Sequence, residues 1–235
     1  MWKGYNVSKR QKLPPHEHAP RIAEFYDHDT LGAPFKVILK NSVEISIDPK
    51  TGEEFVRIPD PMGLIREVVR CRVRDPRKLS GDELRFLRHA LDVRANKLAA
   101  FLDCSAEHYS RCESGGKALS ATAEKQLRLF AYVATLCSEP HQLLEPAAQA
   151  KLRDQKSEQE ALHFISNVFM TMTISPLRNA DEIIEYIFTR RPPKQKRARG
   201  CDDEDDPDWK GHPPVDKKAR HASNGRKPDR RADVV

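Results

Sequence analysis

The chain has 235 residues, of which 38% are hydrophobic and 32% are charged. This composition is polar for a fully packed protein of this length, so we expect part of the chain to stay outside a folded core. No apolar run is long enough to span a membrane, which excludes a transmembrane helix and favours a cytoplasmic protein. The five cysteines are scattered without a CxxC pair, which predicts reduced thiols rather than a disulfide framework.

The net charge of +6 is unevenly distributed along the chain. The segment from residue 190 to the C-terminus contributes +5, so the basic character of the whole chain is weak evidence for an acidic partner. Within the body, the stretch Leu64–Lys78 carries six basic residues against two acidic ones. Its basic members are Arg66, Arg70, Arg72, Arg74, Arg77 and Lys78.

The first regular pattern along the chain is typical of β-structure. Phe35–Leu39 and Val43–Ile47 are rich in β-branched residues and flank Asn41-Ser42, which predicts a hairpin. A turn-forming segment then leads to a third short strand, Glu54–Ile58. The sequence therefore predicts a small antiparallel sheet.

Helical patterns follow this β region. Leu64, Ile65, Val68 and Val69 have the spacing of one helix face, so the basic stretch is predicted to be a helix. Ser80 and Glu83 have the spacing of a capping box that begins the next helix. The further helices are predicted at 82–91, 94–102, 106–113, 121–136, 143–152, 157–170 and 181–188.

We therefore expect an α+β fold in which a small antiparallel β region precedes a multi-helix domain, additional helices and a disordered tail. The tail is rich in Pro and blocks of charge, and it cannot bury enough apolar surface to offset its ordering entropy. The predicted division is an irregular segment at 1–34, a β region at 35–60, a basic linker helix at 61–78, a helical domain at 79–138, a helical extension at 139–190 and the tail at 191–235.

The segment Asp92–Gly115 has the pattern of two short helices that cross at a tight turn. Val93, Leu98 and Leu102 fall on one face of the first helix, and Ala99 is small enough for the second helix to approach. Asp103-Cys104 is predicted to form the turn, and Ser105 to cap the second helix through its side-chain oxygen. Tyr109 and Cys112 are predicted to face inward.

This arrangement predicts a DNA-binding helix-turn-helix, whose second helix meets base edges in the major groove. The candidate base-reading residues are Ala106, Glu107, His108 and Arg111. Arg111 has the donors to bind guanine, and Glu107 can accept a hydrogen bond from a cytosine amino group. The candidate contacts to the DNA backbone are Lys97, Ser105, Ser110, Ser114, Gly115 and Lys117.

The same segment resembles the Xre/Cro-type helix-turn-helix family over its 24 residues without a gap. The residues that match are Leu98-Ala99, Leu102, Ser105, Ser110-Arg111, Glu113 and Gly115. The resemblance implies base-reading positions at Ala106, Glu107 and Arg111 and a phosphate contact at Ser114. The chain departs from the family pattern at Ala95 for Gln, Asp103 for Gly, Cys112 for Trp and Ser114 for Asn. The first two changes weaken DNA binding unless the basic stretch Leu64–Lys78 compensates.

A wider region, from Phe35 to Val133, looks like the MqsA/YgiT-type antitoxin-like regulators. The resemblance rests on Gly52–Asp60 and on Leu79–Arg88. It implies a β-rich N-terminal region before the helix-turn-helix, but the zinc-binding cysteines of that family are absent here. We therefore expect a DNA-binding transcriptional regulator acting as a homodimer in the nucleoid. The alternative is an antitoxin that neutralises a toxin protein and regulates its own operon.

Simpler interpretations remain beside these predictions. The two helices can be an ordinary helical hairpin, Arg111 a solvated or phosphate-bound side chain, and Glu107 a carboxylate that favours the helix N-terminus. His16, His18 and His28 lie in a polar segment and are interpreted as solvated rather than as metal ligands. We find no catalytic constellation in the sequence, so no enzymatic activity, catalytic residue, metal or other cofactor is predicted.

Overall fold

The computed structural model describes residues 20–29, 31–48, 50–145, 150–176, 184–190 and 209–214. In these ranges, five strands form one mixed sheet, and six α-helices lie between its third and fourth strands. The α+β prediction is confirmed at this level. None of the helices in the described ranges is both long enough and apolar enough to cross a membrane.

The sheet is built around one long central strand, β2. The strands are β1 Arg21–Asp27, β2 Lys36–Ile47, β3 Glu54–Arg57, β4 Glu185–Arg190 and β5 Trp209–Gly211. β1 pairs antiparallel with one edge of β2. On the other edge, β3 pairs antiparallel with the end of β2, and β4 pairs parallel with its beginning. β5 extends the sheet antiparallel beside β4. The predicted all-antiparallel sheet is therefore wrong.

The predicted hairpin around Asn41-Ser42 is also wrong, because β2 continues through these residues. Asn41 has a φ of 50°, and the pairing with β1 shifts register between Ala23 and Phe25. Asn41 thus bends the strand at a bulge instead of reversing it. The Ser42 hydroxyl donates to the Lys40 carbonyl at 2.6 Å and accepts from the Arg190 amide at 2.8 Å. These bonds join the bulge to β4.

Three further strands lie where no strand was predicted. β1 falls in the segment 1–34 that was predicted to be irregular, and β4 replaces the end of the helix predicted at 181–188. β4 is a strand because Tyr186 and Phe188 alternate onto the core face and its backbone pairs with β2. β5 falls in the tail that was predicted to be disordered. Residues 1–19, 181–183, 191–208 and 215–235 lie outside the described ranges.

The helices are α1 Pro61–Arg74, α2 Gly81–Ala90, α3 Ala95–Phe101, α4 Ala106–Glu113, α5 Ala121–Leu136 and α6 Gln155–His163. Side-chain caps fix several of their beginnings. Asp60 caps α1, and Ser80 and Glu83 form the predicted capping box at α2. α6 continues into a π-helical turn at Phe164–Phe169, close to the predicted end of this helix.

The helix predicted at 143–152 is replaced by a 3₁₀ turn at Pro140–Leu144. Glu145 is extended, with a ψ of 121°, as expected for a residue followed by proline. Leu152 forms a β-bridge with Cys137 instead of continuing a helix. Residues 146–149 lie outside the described ranges. The chain after α5 thus runs back beside α3, where Glu145 pairs with Lys97.

Candidate nucleic-acid interface

The turn between α3 and α4 is a Schellman motif. The Cys104 amide donates to the Ala99 carbonyl at 3.0 Å, and the Asp103 amide donates to the Ala100 carbonyl at 3.2 Å. Asp103 takes the left-handed conformation this motif requires, with a φ of 53°. Asp103 thus adopts the backbone conformation that glycine adopts most readily, and its exposed carboxylate lies directly before α4.

α4 begins as predicted at its N-cap. The Ser105 hydroxyl accepts a hydrogen bond from the His108 amide at 3.1 Å. Tyr109 and Cys112 are buried, which confirms their predicted inward orientation, and Val93, Leu98, Ala99 and Leu102 are buried as well. Of the four candidate base-reading residues, Ala106, Glu107 and Arg111 are exposed, and His108 is half-buried.

α4 is held against α2 by an ion pair and by a close backbone approach. Arg88 donates to the two carboxylate oxygens of Glu113 at 2.7 and 3.1 Å. A Cβ atom on Gly81, at the start of α2, would lie 2.6 Å from the carbonyl oxygens of both Cys112 and Glu113. Only glycine therefore fits at this contact. These constraints fix the orientation of α4 from its C-terminal end.

The outward face of α4 carries an ion pair of its own. Arg111 bonds to Glu107, one helical turn earlier, and the two side chains are 57% and 74% exposed. An exposed pair at this spacing contributes only about 0.3–0.5 kcal/mol. Arg111 can therefore exchange Glu107 for another acceptor at small cost. Two of the four candidate base-reading residues therefore already contact each other.

The candidate backbone contacts lie on α3, on α4 and in the turn after α4. Ser110, Ser114, Gly115 and Lys117 are exposed, and the Ser114 hydroxyl donates to the Arg111 carbonyl at 3.1 Å. Lys97 differs from the others, because its ammonium group pairs with Glu145 after the 3₁₀ turn. Glu145 was not recognised from the sequence as a neighbour of this region.

Most of the positive charge of the basic stretch Leu64–Lys78, whose compensation for Asp103 and Ala95 was left open, is paired within the fold. The Arg72 guanidinium is fully buried and binds both carboxylate oxygens of Glu83, at 2.5 and 2.8 Å. Arg70 is buried and donates to the Thr135 hydroxyl at 3.0 Å. A count of charges does not reveal burial, and this is why the sequence was misread here.

Arg77 and Lys78, at the end of the same stretch, also pair with groups in the folded core. Arg77 pairs with the buried Asp75, and Tyr186 on β4 donates to Asp75 at 2.8 Å. Lys78 donates to the Leu119 carbonyl at 3.0 Å and lies 3.4 Å from Glu124. The charges of the predicted linker helix thus join α1 to α2, α5 and β4. Among its basic side chains, Arg74 is exposed, and Arg66, Arg77 and Lys78 are half-buried.

The cysteines of this region have the character of packed thiols. Burial raises the pKa of the Cys112 and Cys104 thiols, which disfavours the thiolate form required for redox chemistry.

Across the described ranges, no group of three or more His, Cys, Asp and Glu side chains is arranged to hold a metal ion. Of the three histidines considered as ligands, His28 lies in a described range, and His16 and His18 lie outside it.

Sequence reasoning also missed Arg88 as the partner of Glu113. Its signal was present, because Arg88 lies in the helix that precedes the helix-turn-helix and Glu113 is among the residues that carry the family resemblance.

Comparison of the chain with protein-family models, with curated proteins and with solved structures finds no match to any of the three.

Proposed function

We propose that the protein is a sequence-specific DNA-binding transcriptional regulator of the Xre/Cro type that uses α4 to read the major groove. One observation carries this proposal. A capped helix presents Ala106, Glu107 and Arg111 to solvent while its other face is buried and clamped to α2. A helix held this rigidly and exposed from its N-terminus has the geometry that major-groove reading requires.

The chemistry of the exposed side chains supports direct readout. Arg111 has the planar fork that binds the O6 and N7 atoms of guanine, and it is already oriented by Glu107. Once Arg111 binds a base, Glu107 is free to accept a hydrogen bond from the amino group of a neighbouring cytosine. The two residues then act as one unit that prefers a guanine next to a cytosine.

Affinity is expected to depend on two copies. A single eight-residue helix makes few base contacts, and the exposed charge around it includes Asp103 and Glu107 as well as Arg111 and Lys117. A homodimer places two α4 helices in successive major grooves, about 34 Å apart. The expected target is therefore an inverted repeat.

Selection of bound fragments from a genomic DNA library at about 150 mM salt tests this function. Wild-type protein is expected to enrich an inverted repeat, and the Arg111→Ala variant to lose the preference at one guanine in each half-site. If Arg111 contacts a phosphate instead, the Arg111→Ala variant should bind all sequences more weakly by the same factor. Enrichment of no site by the wild-type protein contradicts the proposal.

A second candidate function is that of an antitoxin whose sheet binds a toxin protein. It is favoured by large apolar side chains that remain exposed on the outer strands: Ile22 (66%) and Phe25 (55%) on β1, and Phe55 (52%) on β3. Exposed apolar groups of this size on a sheet often mark a protein interface. β1 also lies at one end of the described strand order, where a partner strand can add to the sheet.

The second candidate is tested in cells that express a small toxic protein encoded beside this chain. Co-expression of the wild-type chain is expected to restore growth, and a Phe25→Ser, Phe55→Ser variant to fail while remaining folded. The Arg111→Ala variant serves as the matched control, because it should still rescue. Equal rescue by all three proteins argues against a toxin-binding sheet.

A further inference from the structure

A cavity of about 510 Å³ lies beside the candidate DNA-binding unit. Its walls come from the end of α2, the turn before α3, α3 itself and the 3₁₀ segment. Val93 and Leu144 supply apolar surface, and the other lining groups are charged or titratable. Its volume is in the range of sites that hold small molecules.

Basic side chains line this cavity together with one carboxylate that pairs with them. Arg94, Lys97 and His141 line it together with Glu145, whose carboxylate pairs directly with Lys97. A hydrogen bond from Lys97 and the charge of the same ammonium group lower the pKa of Glu145, with further contributions from Arg94 and His141. Glu145 is therefore the anionic partner of the basic groups in this cavity.

The rest of the lining is also compatible with an anion. The Arg88 guanidinium at the cavity wall is already bound by Glu113, and Asp92 is the second carboxylate of the lining. His89 completes the titratable groups. Without the charge of Glu145, Arg94 and Lys97 are left with Asp92 as the carboxylate of the cavity lining, so the lining gains net positive charge.

We propose that Arg94, Lys97 and His141 form a phosphate-binding cradle that the side chain of Glu145 fills in the free protein. A phosphate group fits this set because Arg and Lys bind it through charge-assisted hydrogen bonds. Two sources supply the same chemistry: the DNA backbone beside α3, and the phosphate end of a small molecule that occupies the remaining volume. The DNA source rests on the proposed function, whereas the cradle itself does not.

The cradle is tested with inorganic pyrophosphate as the probe and the full chain in solution, by calorimetry or by NMR shifts of the Lys97 and His141 side chains. Glu145→Gln removes the competing charge at a half-buried position. The variant is expected to bind pyrophosphate about threefold to fivefold more tightly than wild type, because binding no longer has to break a partly exposed ion pair. Glu139→Gln, in the same segment but outside the cavity lining, is the matched control and should bind as wild type does.

Lys97→Ala in the Glu145→Gln background should abolish the gain. The cradle is overturned if Glu145→Gln and wild type bind pyrophosphate equally, or if binding survives Lys97→Ala unchanged. Competition with an arbitrary DNA duplex then separates the two sources. Pyrophosphate that displaces DNA from Glu145→Gln identifies the backbone, and pyrophosphate that binds without displacing DNA identifies a small phosphorylated molecule.

The two proposals fail separately in these experiments. Pyrophosphate binding by Glu145→Gln without any site enriched from genomic DNA leaves the cradle standing and removes the regulator. An enriched site that depends on Arg111, with no pyrophosphate bound by Glu145→Gln, removes the cradle and leaves the regulator standing.

Discussion

Arg88 on α2 binds both carboxylate oxygens of Glu113, the last residue of α4, at 2.7 and 3.1 Å. Both side chains are largely buried, so this pair sets the orientation of the helix whose other end is exposed. Loss of Glu113 leaves the Arg88 charge without its partner in a partly desolvated position.

Glu113→Gln is therefore expected to lower the free energy of unfolding by about 2–3 kcal/mol. Urea denaturation monitored by circular dichroism measures the loss. Glu107→Gln is the matched control, since it removes an exposed carboxylate from the same helix and should change stability by less than about 0.5 kcal/mol. Equal losses for the two variants would show that the Arg88 pair does not anchor α4.

Asp103 combines two unfavourable features, a left-handed backbone and a negative charge beside α4. Asp103→Gly is expected to raise the free energy of unfolding by about 0.5–1 kcal/mol because glycine adopts this conformation without strain. Asp103→Asn keeps the side-chain shape and removes the charge, so it should tighten DNA binding at low salt and lose the advantage near 1 M salt. Asp103→Ala is the control for backbone strain. If the Asp103→Ala variant is as stable as the Asp103→Gly variant, the backbone of this turn is not strained.

Trp209 anchors β5 on α1. The side chain is buried, and its indole N–H donates to the Asp60 carbonyl at 3.0 Å, at the cap of α1. Trp209→Ala is expected to lower stability by about 3–5 kcal/mol, the usual cost of removing a large buried aromatic side chain. Lys210→Ala, at an exposed position of the same strand, should have little effect on the melting temperature. A Trp209 variant as stable as the Lys210 variant would mean that β5 contributes nothing to the core.

Asp75 makes stability depend on pH. Burial raises the pKa of its carboxyl, but hydrogen bonds from Arg77 and Tyr186 outweigh burial and hold the pKa below its ordinary value. Because the pKa is lower in the folded than in the unfolded chain, the stabilisation is present above about pH 4 and is lost as the pH falls through the folded-state pKa. The stability lost on Asp75→Asn, measured by urea unfolding, should therefore be larger at pH 7 than at pH 3.

The parts of the fold that depend on local sequence were predictable. α2 to α5 begin within about a residue of the predicted positions, because Ser80, Ser105 and Ser120 are N-caps and the apolar spacing is regular. β4 was misread because its partner lies in β2, far away in sequence, and only that pairing makes the segment a strand. The local sequence pattern also failed at Asn41, because a residue with a left-handed backbone conformation occurs in β-bulges as well as in hairpin turns.

The candidate site was predictable to a similar depth. The outward face of α4 follows from helical spacing, whereas the neighbours of that face do not. Glu145 reaches Lys97 from a segment 48 residues later, and Arg72 is buried although it lies in the most basic part of the folded region. Both relationships depend on tertiary packing, which no local pattern encodes.

The central claim is that Arg111 reads a guanine. It is tested most directly by a double-mutant cycle on the selected DNA site, with each guanine replaced in turn by 7-deazaguanine, which lacks the N7 acceptor. At one guanine in each half-site, wild-type protein should lose about tenfold or more in affinity, within the range expected for a bidentate base contact. The Arg111→Ala variant should lose nothing further there. Equal losses for wild type and variant at every guanine would contradict the account.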